Sequence, residues 1–195
     1  MNDLLGATRR TPALIPVAQG NLVSVLPPAD RFVLRLRGPT IGPVGGVDLS
    51  GPINSARGTA GRFAARLGPD EWLLIFPEGE GAEARAALEQ GLVGHVFSVV
   101  PVGHRNAAIA VRGRHARTVL NAGIALDLSD EAFPGGMATR TLLGKAEVVL
   151  VRVQVGENFR VECCRSFAPY VYAFLSDAAR EFTGARRADG PGCEE

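Results

Sequence analysis

The amino-acid sequence predicts an α+β fold in which helices cover one face of an antiparallel sheet, and three stretches carry that prediction. Trp72-Leu73-Leu74-Ile75-Phe76 is an apolar run of strand length with no polar side, so both of its faces must be covered. Phe32, Leu34 and Leu36 alternate with Arg31, Arg35 and Arg37, the pattern of a half-buried strand, with Val33 as the exception. Near the end of the chain, Phe167, Val171, Phe174, Leu175, Ala178 and Phe182 form one apolar stripe at helical spacing. Strands with faces to cover and an amphipathic helix to cover them define a layered domain.

Each element follows in chain order. Residues 1–30 carry Pro12, Pro16, Pro27 and Pro28 among short apolar pieces, which excludes a long helix or a central strand. They form an extended arm, either frayed or docked along the core of this chain or of a neighbouring one. After the strand at 31–37, residues 38–61 hold seven glycines and three prolines and are read as a long loop, functional or disordered. Residues 62–67 and 71–76 form a hairpin around Gly68-Pro69-Asp70. Ala84, Ala87, Leu88 and Leu92 mark a helix over 81–92, and 95–100 is a strand ended by Pro101.

A second cycle opens with a strand at 107–111 and a helix over about 113–121 that buries Ala116, Val119 and Leu120 and that Gly123 ends. Strands follow the turn-rich stretch LDLSDEAFPGG, at 137–142, 146–155 and 159–164. The last helix runs from Ser166, as its cap, to about Phe182, with Pro169 in its first turn, and 183–195 is a flexible tail. The segments 31–101 and 102–182 thus read as two similar halves, although no residue-level identity links them.

Bulk composition narrows the function. A net charge of +1 gives no field for nucleic acid or an anionic membrane, and no stretch is long and apolar enough to cross a bilayer. The N-terminal stretch, acid before base and broken by prolines, lacks the order of a secretory signal, which points to the cytoplasm. Adjacent Cys163 and Cys164, with Cys193 in the tail, give no disulfide framework.

A search for chemistry returns little. At the one Gly-Lys pair, Gly144-Lys145, Thr139 stands where a phosphate loop needs its first glycine and Ala146 where it needs a hydroxyl. The residues spell no dinucleotide fingerprint and no paired metal-ligand spacing among His95, His104, His115 and the cysteines. His115 is read as a solvent-facing or capping residue, and the acid pairs Asp70-Glu71 and Asp130-Glu131 as turn acids bonding backbone. His104-Arg105-Asn106 is either a solvated turn between the halves or a polar junction that meets a ligand or partner.

Three blocks carry a resemblance: LGPDEWLLIF; His104-Arg105 followed by VLNAGIALDLSDEAFPGGMATRTLLGKAEVVLVR; and CCRSFAPYVYAFLSDAAREF. In order and spacing, over roughly residues 30–182, they resemble the gamma subunit of heterotetrameric sarcosine oxidase. The resemblance implies a fold like the folate-binding region of the glycine-cleavage aminomethyltransferase. It also implies a small, cofactor-free, non-catalytic subunit of a complex that oxidatively demethylates sarcosine to glycine. Its partners would be alpha, beta and delta subunits, with FAD, FMN, NAD and tetrahydrofolate on alpha and beta and zinc on delta. Such proteins often show Asp-x-Ser-His-Arg where this chain has Pro101-Val102-Gly103-His104-Arg105, which speaks against catalysis at that junction.

Accordingly no catalytic, cofactor or metal residue is expected in this chain, and Trp72, His104 and Arg105 are the expected partner contacts. Trp72 is either the core anchor of a strand beside a subunit interface or an intradomain core residue alone. The same architecture would serve a related complex such as N-methylglutamate dehydrogenase. A free-standing folate-binding or one-carbon protein would need an acid placed for the pterin and more chain to close its pocket.

Overall fold

The computed structural model describes residues 22–38, 41–153, 156 and 158–182. Its main element is a ten-stranded sheet, antiparallel at every pairing. The first part of the chain supplies β1 (Val23–Val25), β2 (Ala29–Arg37), the small pair β3 (Pro43–Val44) and β4 (Val47–Asp48), β5 (Ser55–Gly58), β6 (Phe63–Arg66), β7 (Glu71–Pro77), helix α1 (Gly81–Gly91) and β8 (Val96–Pro101). The second supplies β9 (Asn106–Arg112), helix α2 (Ala116–Asn121), β10 (Met137–Leu143), β11 (Ala146–Arg152), β12 (Asn158–Cys164), helix α3 (Ala168–Ala178) and a 3-10 turn, Arg180–Phe182. The strand order is β1-β9-β12-β11-β10-β5-β6-β7-β2-β8.

Period-two alternation sorts the strand residues into three cores. Leu34, Trp72, Leu74 and Phe76 pack with Leu88 and Leu92 of the α1 region. Ile109, Val148, Leu150 and Val161 pack with Val119 of α2 and with Val171 and Leu175 of α3. The opposite faces of the same strands meet in a third core, where Ala29, Phe63, Leu73 and Ile75 join Ala138 and Val151. Strands far apart in the order share that core, so the sheet curls on itself with the helices outside. This arrangement explains the apolar run at 72–76: alternate residues of β7 face α1 and the inner core, and all five are buried.

Several expectations change in the structure. Residues 38–61 are not one loop, since they contain β3, β4 and β5. Gly45 and Gly46 both have positive φ (57° and 79°), the backbone that a two-residue hairpin turn requires, and Val47 and Leu49 beyond them are buried in the α1 core. Val23–Val25 of the N-terminal arm adds an edge strand beside β9, while residues 1–21 lie outside the described part. Pro101 belongs to β8 rather than ending it, because β8 pairs only with β2 and a proline on the open edge removes no ladder bond.

Helix ends also move. Ser166 does not cap α3: turn bonds from the Phe167 and Ala168 amides to the Cys164 and Arg165 carbonyls delay the helix by one residue, and Phe167 takes the cap position without a side-chain bond. The α-helix stops at Ala178 and continues only as the 3-10 turn. Helix α2 starts at Ala116, after a turn at 113–115. Gly123 follows that helix without positive φ, and its bare Cα is needed for packing: a Cβ there would lie 2.6 Å from the Phe174 ring.

Candidate functional site

The inner face of the curled sheet carries the most concentrated chemistry of the described residues. Arg31 is expected on the solvent side of an alternating strand, but it is only 3% exposed. Its Nε donates to Glu162 Oε2 at 2.8 Å, its Nη2 donates to Oε1 at 3.2 Å, and its Nη1 donates to the Ala29 carbonyl at 3.0 Å. The pair joins β2 to β12 across the inner core. Glu162 also accepts from Arg160 Nε at 2.7 Å, so one buried carboxylate serves two guanidiniums. Charges taken this far from water persist only when paired and hydrogen-bonded, and this pair is both.

Two clefts flank that cluster. Toward the start of β12 lies a cleft of about 400 Å³ bordered by Arg112, Asn158 and Arg160. Toward its end lies one of about 310 Å³, bordered by Glu71, Arg105, Arg140, Glu147, Glu162 and Phe167 among others. The charges of the second cleft are mutually engaged: Glu71 accepts from Arg140 at 2.7 Å and pairs with Arg35 at 2.9 Å, and Arg140 lies 3.6 Å from Glu147. The Glu71–Arg140 bond is a second tie between the first and second parts of the chain.

The three expected contact residues are not gathered at one point. His104 and Arg105 are exposed in the turn between β8 and β9, and Arg105 borders the smaller cleft. Trp72 is 2% exposed and faces the α1 core, on the opposite side of β7 from Glu71 and Leu73, which border that cleft. Its indole N–H has no acceptor, and the Arg66 guanidinium lies 4.9 Å from the ring centroid.

Cys163 and Cys164 face opposite sides of β12, as adjacent strand residues must, one buried and one exposed. Burial first, then the neighbouring Glu162, pushes the Cys163 thiol up to about 12, so it stays protonated and packs. His115 occupies the cap position of α2 without capping it; the ring stacks on Phe182 at 4.3 Å and accepts from Arg114 at 2.9 Å. Among the described residues no group of three or more His, Cys, Asp or Glu side chains is placed to hold a metal ion.

Three of the acids read as turn acids, Asp70, Glu71 and Asp130, pair with arginine side chains. Asp70 pairs with Arg35, and Asp130 accepts from Arg117 and from Arg152, whose buried head also donates to the Phe133 carbonyl at 2.6 Å. Those two arginines, Arg117 first, hold the Asp130 carboxyl below the usual range. Backbone-bonding turn acids occur at Asp48 and Asp127, which accept from the Ser50 and Ser129 amides. The Arg31–Glu162 pair was not foreseen from sequence; its one signal is Val33, an apolar residue on the supposed polar side of β2.

A family model described as sarcosine oxidase, gamma subunit family matches residues 47–181. The chain is 33% identical over 117 residues to the sarcosine oxidase subunit gamma of Corynebacterium sp. (strain P-1), covering 60% of this chain and 56% of that one. It is 31% identical over 139 residues to the subunit gamma of Arthrobacter sp., covering 70% and 66%. The matches thus span between half and two thirds of those relatives' lengths. Among solved structures, heterotetrameric sarcosine oxidase from Corynebacterium sp. U-96, in complex with pyrrole 2-carboxylate, superposes with a TM-score of 0.72 at 25% identity, over 89% of this chain and 91% of that one. The glycine cleavage system aminomethyltransferase T of Bartonella henselae shares the fold, with a TM-score of 0.60 at 14% identity over 81% of this chain and 46% of that one.

Proposed function

The chain belongs to the sarcosine oxidase, gamma subunit family, and from that membership we propose that it is the small, non-catalytic subunit of an assembly that oxidatively demethylates sarcosine. The observation that carries this reading is the near full-length match, in both directions, to a chain of a heterotetrameric sarcosine oxidase. Its partners are alpha, beta and delta subunits, which hold the flavins, NAD, tetrahydrofolate and zinc, and the assembly works in the cytoplasm. A chain with this role needs shape and surface rather than an activated group. The engaged charges of the smaller cleft and the protonated Cys163 agree with that.

The two-part organisation at 31–101 and 102–182 is part of the proposal, while the expected tail at 183–195 lies outside the described residues. In the strand order β1, β9, β12, β11 and β10 form one run and β5, β6, β7, β2 and β8 the other, and the ladder between the two runs is the pair Met137 with Ser55. His104 and Arg105, on the exposed turn that links the parts, contact a partner. Trp72, buried on the α1 side of β7, is the core anchor of a strand beside a subunit interface.

Co-purification from the native cell tests the reading. The tagged chain is expected to bring down larger, flavin-coloured partners and an activity that oxidises sarcosine. A colourless chain with no large partner, at a tag position shown not to block assembly, would refute it. Oxidation of another N-methyl amino acid by a coloured assembly would move the subunit to a related complex.

A further inference from the structure

We propose that the larger cleft on the inner face is a binding site for a small aliphatic monocarboxylate, held by Arg112 and Arg160. The register builds it: Arg112 pairs with Asn158, Ala110 with Arg160, and Arg160 with Val151, so these residues stand on one face of β9, β12 and β11. Ala110 and Val151, the residues opposite Arg160, are small and apolar, and Leu26 and Val153 extend that wall. At about 400 Å³ the cleft lies within the size range of small-ligand sites, and apolar walls with a few placed polar groups are their usual lining.

Charge specifies the ligand's sign. Arg31 and Arg160 share the single carboxylate of Glu162, which leaves this cluster one positive charge in excess. Arg160 bonds Glu162 through Nε, while its buried Nη2, 2.6 Å from the same oxygen, is misaligned for a hydrogen bond. Arg112 adds a second guanidinium whose Nη1 donates to the Ser24 hydroxyl at 3.1 Å. No acid stands among the described residues of this lining, whereas the smaller cleft has Glu71, Glu147 and Glu162. A carboxylate between Arg112 and Arg160 would compensate the excess charge with strong, charge-assisted bonds, and an aliphatic body would cover the wall formed by Leu26, Ala110 and Val151.

Calorimetric titration of the full chain with hexanoate, hexanamide and inorganic phosphate tests the site, with methyl NMR to locate it. The expected result is saturable binding of one hexanoate, at least tenfold weaker binding of hexanamide and of phosphate, and shifts at the Leu26 and Val151 methyls but not at those of Leu34 and Leu74 in the α1 core. Arg112→Ala, at an exposed position, is expected to weaken hexanoate at least fivefold without changing the melting temperature. Arg160→Lys, which keeps the charge but loses the fork, is expected to weaken it as well. Equal affinity for hexanoate and hexanamide, no binding of either, phosphate binding as tightly as hexanoate, or an Arg112→Ala chain that binds like the parent would each overturn the proposal.

Discussion

Glu162 is the residue on which most of the inner face depends, because it neutralises Arg31 and accepts from Arg160 at the same time. Removing the carboxylate strands two guanidiniums, so Glu162→Gln is expected to cost about 3–5 kcal/mol in urea denaturation. Asp130 offers a pH-dependent counterpart. Its carboxyl is held down by Arg117 and then Arg152, so its stabilisation is complete above the unfolded value of about 3.9 and is lost as pH falls through the lower folded value. The melting-temperature gap between parent and Asp130→Asn should therefore stay constant from neutral pH to about pH 5 and close in stronger acid. Trp72 is the residue whose type the sequence made conspicuous. Trp72→Ala should cost about 3–5 kcal/mol through the cavity it leaves in the α1 core. Trp72→Phe should cost far less in the same denaturation assay, since it also removes a buried N–H that has no acceptor.

At the scale of elements, the hairpin of β3 and β4 shows what a composition-based reading hides. Seven glycines and three prolines in 38–61 look like one long loop, yet the positive φ of Gly45 and Gly46 turns that glycine content into a tight corner that folds Val47 and Leu49 onto α1. A Cβ on Gly45 would lie 2.6 Å from Leu88 Cγ, so Gly45→Ala combines a left-handed backbone penalty with overpacking. It should destabilise the chain by about 2 kcal/mol or more, read by thermal or urea unfolding. The long strands and helices were legible because their patterns are local: alternation in β2, stripes in α1 and α3, and the continuous apolar run of β7. Short strands such as β1 and β5 were not legible, since three or four residues carry no period and are held by their neighbours in the sheet. The cap of α3 was misplaced for a related reason: a tight turn consumed Ser166 before the helix began.

For the whole molecule, the inner core and two cross-sheet ion pairs tie the first and second parts together, through Arg31–Glu162 and Glu71–Arg140. Unfolding should therefore be one cooperative transition by both circular dichroism and tryptophan fluorescence, although Trp72 reports only from the first part. Residues 31–101 expressed alone should lack a cooperative transition, because Leu73 and Ile75 would lose the cover that Ala138 and Val151 provide. The candidate site was less legible than the fold. His104 and Arg105 are exposed on the β8–β9 turn, but Arg31, Glu162, Arg160 and Arg112 come from strands separated by up to 131 residues, and no local pattern announces that they meet. The sequence by itself determined the α+β class, the order of the principal strands and helices, and the family resemblance, because periodicity and short motifs are properties of consecutive residues. Only the tertiary structure decided which face of β2 is dry, why β7 is apolar on both sides, and where two arginines face one cleft. Those depend on how far the sheet curls, and curling is fixed by contacts between strands distant in the chain.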